Sequence, residues 1–377
     1  SRPRAATDRK GERPSIVTTP KGALVAWTDD HEHAGRDHVY SVVIDPTGKT
    51  VGPVRDLTPE ATEAWRPQLV AHGADRSVLL YWDAKGRDAG VRVRALDGEG
   101  RIDTTRGQSV LVGAARPGSY WPTIEKAPQG FFVVWQDDRD KDGDNDLFVR
   151  RLSADLDTEG PETRLTDYHA PPKSKNPPPR VRYPTVAVAA NTLIIAYRLE
   201  RERERLVMRM RVPLETLDKD ALEESKDAGR PSREAGDVAL VSEDKTPADA
   251  PAIACGQEGC FVAWHGEPSG VYVALIDPVG GRVVWRKRFS AKGGRPGLAV
   301  NEGQVAVSYY EAGRLKMAFL SRDGVTAASP LVRLHDGNNP RPSLVAGSQK
   351  KEWYVAWQDS DSPRGSAEIY AARILCQ

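Results

Sequence analysis

A nearly continuous apolar run carrying an aromatic recurs seven times along the chain. It reads ALVAWTD around Trp27, VLLYWDA around Trp82, FFVVWQD around Trp135 and LIIAYRL around Tyr197, then CFVAWHG around Trp264, VAVSYYE around Tyr309 and WYVAWQD around Trp357. Ahead of each lies a shorter run that starts at a proline step: RPSIVTT (13–19), RPQLVAH (66–72), WPTIEKA (121–127), YPTVAVA (183–189), APAIACG (250–256), RPGLAVN (295–301) and RPSLVAG (341–347). Behind each lies a third run, such as HVYSVVID, VRVRALD, LFVRRL and EIYAARIL. A weaker fourth follows in most copies, as in VRDLT, TRLTD and VALVSE. A continuous short apolar run marks a strand buried on both faces, and alternation marks a strand with one wet face.

Seven units of four short strands predict an all-β, seven-bladed β-propeller of four-stranded antiparallel blades, in which radial packing buries both faces of the inner strands. The blades fall at about 13–60, 64–113, 119–167, 180–243, 249–293, 294–336 and 340–377, in a single domain over 1–377. The GH and WD dipeptides of a WD repeat are missing. The seventh unit stops after its third strand, and RAATD (4–8) looks like the fourth strand of other units. Residues 3–8 are therefore expected to complete the last blade and close the ring, the alternative being an open stack of β units. Two stretches depart from the period. One is the Pro-rich loop 169–180 (HAPPKSKNPPPR); the other is the charged insertion 215–236, whose first half is expected to form a short surface helix.

Composition narrows the function classes. The net charge is +1, from 54 basic and 53 acidic residues, so bulk charge gives no reason to expect nucleic acid or an anionic membrane. No run is long and apolar enough for a transmembrane segment, and the first residues carry no signal-peptide core. Cys255 and Cys260 flank a four-residue turn in IACGQEGCFVAW. Facing hairpin positions reach disulfide distance, so a Cys255–Cys260 bridge and an oxidising compartment are expected, against two small buried thiols. Their spacing lacks the second ligand pair of a zinc site. Cys376 has no assigned role.

Four features carry candidate chemistry. The loop Asp138-Arg-Asp140-Lys-Asp142-Gly143-Asp144-Asn145-Asp146 sets carboxylates at alternate positions around a glycine, an arrangement of hard oxygen ligands that can wrap Ca²⁺. In the competing reading Asp138 or Asp146 caps strands or pairs with arginines. Arg13, Arg66, Arg295 and Arg341 each precede a strand-opening proline, with Arg182 one residue further back in RYP. At one mouth of a propeller they form an anion or carboxylate clamp, or else they pair with Asp29, Asp83, Asp137 and Asp359 from blade to blade. Trp65, Tyr120, Trp121 and Tyr183 flank the same strand starts and suit sugar rings or a peptide, or pack between blades. His31-Glu32-His33 with His38 lacks a third placed metal ligand and reads as solvated.

The chain resembles secreted bacterial propellers with VAW-x-D repeats, and this resemblance covers most of its length. Its acidic loop resembles the calcium-binding loops of FG-GAP and integrin-type repeats over about ten residues. That second resemblance implies side-chain ligation by Asp138, Asp140, Asp142 and Asp146, with Asp144 offering its backbone carbonyl. Sialidases also set an arginine near a proline and use an arginine cluster on a carboxylate, but their S-x-D-x-G-x-T-W box is absent here. No catalytic set stands out. The expected function is a non-enzymatic binding or scaffold module, exported to the periplasm, cell surface or exterior and monomeric on its own. Its partner, a protein or glycan, is held on the face bearing the Arg-Pro steps and acidic loops. The alternative is a glycan-active enzyme, sialidase-like or another propeller glycoside hydrolase. Calcium at the acidic loop predicts that saturating Ca²⁺ raises the thermal unfolding midpoint over that in chelator; an unchanged midpoint counts against the loop as a site.

Overall fold

The computed structural model describes residues 4–5, 11–30, 35–85, 89–114, 120–139, 145–168, 177–202, 204–217, 233–243, 247–266, 270–325, 329–333, 342–359 and 368–376, and the structural statements below concern those residues. Seven antiparallel sheets form the blades of a propeller. The first runs from the axis outward as Glu12–Thr19, Gly22–Asp29, His38–Ile44 and Thr50–Asp56. The third repeats this as Tyr120–Ala127, Gly130–Asp137, Asp146–Leu152 and Thr158–Arg164. In both blades every residue of the second strand is buried, as its continuous apolar run requires. The outer strand of the first blade is exposed along half its length.

Ring closure follows the expected route. Arg4–Ala5 pairs with Glu368–Leu375, in the register Arg4 to Tyr370 and Ala5 to Ile369, and supplies the outer strand of the last blade. The first and last blades then share a core of Trp27, Tyr40, Tyr354 and Ile369. Six further cores fill the other gaps between neighbouring blades. Tight hairpins join the strands. Gly22 and Gly130 open second strands at φ 133° and 144°, where a Cβ would strike the carbonyl oxygens of Ile44 and Leu152. Cys255 and Cys260 face each other across such a hairpin and are disulfide-bonded. The Pro-rich loop and the expected helix lie largely outside the described residues; Arg233–Glu234, near the end of the second insertion, pairs with Thr166–Asp167.

The recurring proline steps are bulges. In six inner strands the residue before proline has positive φ: Arg13 (55°), Arg66 (59°), Trp121 (58°), Tyr183 (55°), Ala250 (36°) and Arg295 (51°). The strand register skips at each of these places. Two residues, X and Pro, thus oppose one residue of the second strand, and that residue is Trp27, Tyr81, Trp135, Tyr197, Trp264 or Tyr309. The aromatic of the second blade is thus Tyr81. Trp82, the expected anchor, points the other way and is only half-buried, because a one-residue slip exchanges the faces of a strand. Left-handed backbone at a residue other than glycine costs about 1–3 kcal/mol. The neighbouring blade helps hold it: the Arg66 N–H donates to Thr28 Oγ1 (3.2 Å), and the Tyr183 N–H to Gln136 Oε1 (3.0 Å). Thr28 and Gln136 are the middle residues of the W-x-D steps.

The weak fourth strands have their own repeated cap. Thr58, Thr166 and Ser242 hydroxyls accept the N–H groups of Val39, Leu147 and Val207 at 2.9–3.0 Å, near the start of the third strands. Gln136→Ala leaves the half-buried Tyr183 N–H without its acceptor and is expected to cost about 0.5–1.5 kcal/mol, read as a lower urea midpoint at unchanged slope.

Candidate functional site

The inner strands of all seven blades line one central cavity of about 580 Å³. That volume is in the range of small-ligand sites. The bulges decide which side chains reach it. Arg13, Arg66, Trp121, Tyr183, Ala250 and Arg295, the six residues of positive φ, all line it. A bulge re-aims a side chain that regular pairing would hold between sheets. Arg341 lies outside the described residues, but Pro342, which follows it, lines the same cavity. Arg182, Trp65 and Tyr120 sit one residue earlier, at paired positions, and do not line it. Arg182 Nε donates to Glu200 (3.0 Å), and Trp65 Nε1 to Glu63 (3.1 Å). Tyr120 packs 5.9 Å from Trp82, across the gap to the second blade.

Trp121 organises the cluster. The Arg66 guanidinium lies 3.0 Å from the centre of its ring and the Arg13 guanidinium 4.8 Å from it. Tyr183 meets the same ring edge-on at 4.1 Å, and Arg198 lies 4.5 Å above Tyr183 while bonding Asp249 and Glu200. Cation–π contacts of this kind contribute about 0.5–2 kcal/mol each. Trp121 thus packs against two guanidinium groups and the Tyr183 ring at the cavity wall.

The cavity also holds two acids that the strand pattern did not single out, Asp249 and Glu125. Asp249 is ion-paired with Arg198. Glu125 has no hydrogen bond or ion pair among the described residues. Part of it faces the channel, yet the surrounding inner strands strip away most of its water, and this desolvation pushes its carboxyl up to about 8. Its one sequence signal is the Glu125-Lys126 charge pair inside an inner-strand run, PTIEKA. Asp29, Asp83, Asp137 and Asp359 do not line the cavity. Asp29 accepts the Trp27 indole N–H (3.3 Å), Asp83 the Glu63 N–H (3.4 Å) and Asp137 the Arg139 guanidinium (3.1 Å). Burial raises the Asp83 carboxyl above its usual range.

The acidic loop leaves Asp137 and returns at Asp146, on the face where the inner strands begin. Asp140, Asp142 and Asp144 lie outside the described residues; Asp138 stands at the start of the loop. Asp146 is buried and engaged within its blade. Its oxygens accept from the Arg164 guanidinium, the Thr166 hydroxyl (2.8 Å) and the Tyr168 N–H (3.1 Å). Burial pushes its carboxyl up to about 6 against the pull of those donors. His38, expected to be solvated, is buried and bonded to Asp56 (3.0 Å), because it opens a paired third strand; His31 and His33 lie outside the described residues. A smaller cavity of about 250 Å³ lies under the third and fourth blades, beside the turn at 127–130. It gathers no comparable set of charges.

No family model and no curated protein matches the chain. Solved structures share its fold. An ulvan lyase, solved bound to a chain of GlcA(1-4)Rha3S, aligns at TM-score 0.61 and 10% identity over 97% of this chain and 94% of its own. The polysaccharide lyase Uly1 aligns at 0.57 and 12% over 97% and 90%. The endosialidase of phage phi92 aligns at 0.52 and 10% over 100% and 69%. At such identities the likeness establishes the propeller alone. No helix among the described residues is long and apolar enough to cross a membrane.

Glu125 links stability to pH. Its folded-state value lies above the ordinary one near 4.5, so the folded chain holds its proton more tightly. The acid group thus costs stability as pH rises between those two values. Glu125→Gln removes that cost: its melting temperature is expected to exceed that of the parent at about pH 8.5, with the gain vanishing near pH 4.

Proposed function

We propose that this protein is a binding module for an anionic glycan, holding carboxylate or sulfate groups at the channel mouth with Arg13, Arg66 and Arg295. The observation that carries the reading is the convergence of these three arginines on one cavity, two of them against Trp121. The planar fork of guanidinium matches carboxylate and sulfate oxygens two at a time, and its attachment to strained bulges on a rigid ring lowers the ordering cost of binding. Glucuronate and sulfated rhamnose, named for the ulvan lyase, are ligands of this chemical class. The Cys255–Cys260 bridge is in keeping with an exported protein.

The second reading, a glycan-cleaving enzyme, is favoured by one observation: Glu125 and Asp249 share the cavity. Two carboxyl groups flanking a bond are the minimum for hydrolysis. Asp249, however, is tied to Arg198, and the aspartates first suspected lie outside the cavity.

Titration calorimetry with a glucuronate oligomer and a neutral dextran oligomer of equal length separates these readings. The anionic chain is expected to bind, more weakly as salt rises, and the neutral one not to bind. Arg13→Ala and Arg66→Ala are each expected to weaken binding about tenfold or more. Equal binding of both oligomers overturns the anionic reading; shortening of the oligomer during incubation establishes the enzyme.

A further inference from the structure

Glu125 lies on the inner strand Tyr120–Ala127, four residues past the bulge at Trp121 and opposite Phe132. Its neighbour Ile124 is locked to the second blade: the Ile124 N–H donates to Gln68 Oε1 (3.0 Å), and Gln68 Nε2 to the Ile124 carbonyl (3.2 Å). The strand cannot rotate to release the acid without breaking both bonds. Charged and titratable groups of several blades share the cavity with it. The second blade brings Arg66 on its inner strand. The fourth blade brings Tyr183 on its inner strand. Its own strand brings Lys126, the next residue. Elsewhere on the wall stand Arg13, Arg295 and Asp249, the last paired with Arg198. None of these forms an ion pair with Glu125, and desolvation is the cause that sets its affinity for a proton.

A carboxyl so placed has two forms of opposite use to a ligand. As the neutral acid it donates one hydrogen bond and still accepts others. As the carboxylate it offers only acceptors and repels an anion through a medium of low dielectric. We propose that Glu125 is a specificity-determining residue of the cavity. In its protonated form it donates a hydrogen bond to an acceptor oxygen of the ligand whose anionic group the arginines hold. This proposal rests on the anionic-glycan reading above. The ligand it selects carries an acceptor oxygen that extends past its charged group into the channel. The same residue makes affinity fall with rising pH, because the anion and the ionised acid exclude each other.

The probe is the glucuronate oligomer, titrated by calorimetry from about pH 6 to about pH 9.5 into the parent protein and into the Glu125→Gln and Glu125→Ala variants. In the parent, affinity is expected to hold up to about pH 8 and then to fall toward tenfold per pH unit, the limit for one linked proton. Glu125→Gln, whose amide donates at every pH, is expected to keep the low-pH affinity and lose the fall. Glu125→Ala is expected to bind about tenfold more weakly at low pH. An affinity in the parent that is flat with pH, or a fall that persists in Glu125→Gln, overturns the proposal while leaving the anionic-glycan reading in place. Unchanged binding in Glu125→Ala does the same. Absence of binding in the parent at every pH overturns both. The ¹³C shift of the Glu125 carboxyl, identified by its loss in Glu125→Gln, gives a check without ligand: a midpoint near the ordinary glutamate value overturns the proposal by itself.

Discussion

The structure depends on one local conflict repeated around a ring. Each blade places a bulky aromatic on its second strand, and the inner strand must pass that residue close to the axis. In six described blades it does so by bulging at a proline step, with the residue before proline in left-handed backbone. Proline has no N–H to lose from the ladder, which makes the bulge cheaper there than elsewhere. The remaining strain is offset by burial of the aromatics and by side chains of the preceding blade that cap the freed N–H groups. Neighbouring blades are thereby tied at the axis by polar contacts as well as by their shared cores.

The same conflict makes the site. A bulge turns its first residue out of the sheet, and around a ring these residues face a common channel. Whatever stands before the proline is thus presented to the axis, and here it is arginine in three described blades and an aromatic in two. Trp121 then gathers two of the arginines. Asp29, Asp83, Asp137 and Asp359, which follow the second-strand aromatics, do not line that channel. The channel wall thus gathers three arginines and two acids, Glu125 and Asp249, in a chain whose net charge is nearly zero.

Much of the fold was legible because it is repetitive. Seven aligned copies reveal strand order, blade number and even the outer strand borrowed from residues 4–5, since a pattern repeated seven times outweighs the ambiguity of any one copy. The exception is instructive. VLLYWDA contains two adjacent aromatics, and only register against Trp65 and Gln68 selects Tyr81 as the buried one. The same single-residue uncertainty placed Trp65, Tyr120 and Arg182 among the expected ligand groups. They precede the bulge, and the residue that follows each of them is the one that turns inward.

The sequence by itself determined the all-β propeller, its seven blades, the disulfide and the proline-marked strand starts. Each of these is a matter of periodicity or of residues close in the chain. Only the tertiary structure decided which side chains meet. Glu125 and Asp249 belong to different blades, and the ring brings them to one cavity wall. An ionisable group takes its properties from the water it loses and the charges near it, and both are set by strands far apart in sequence.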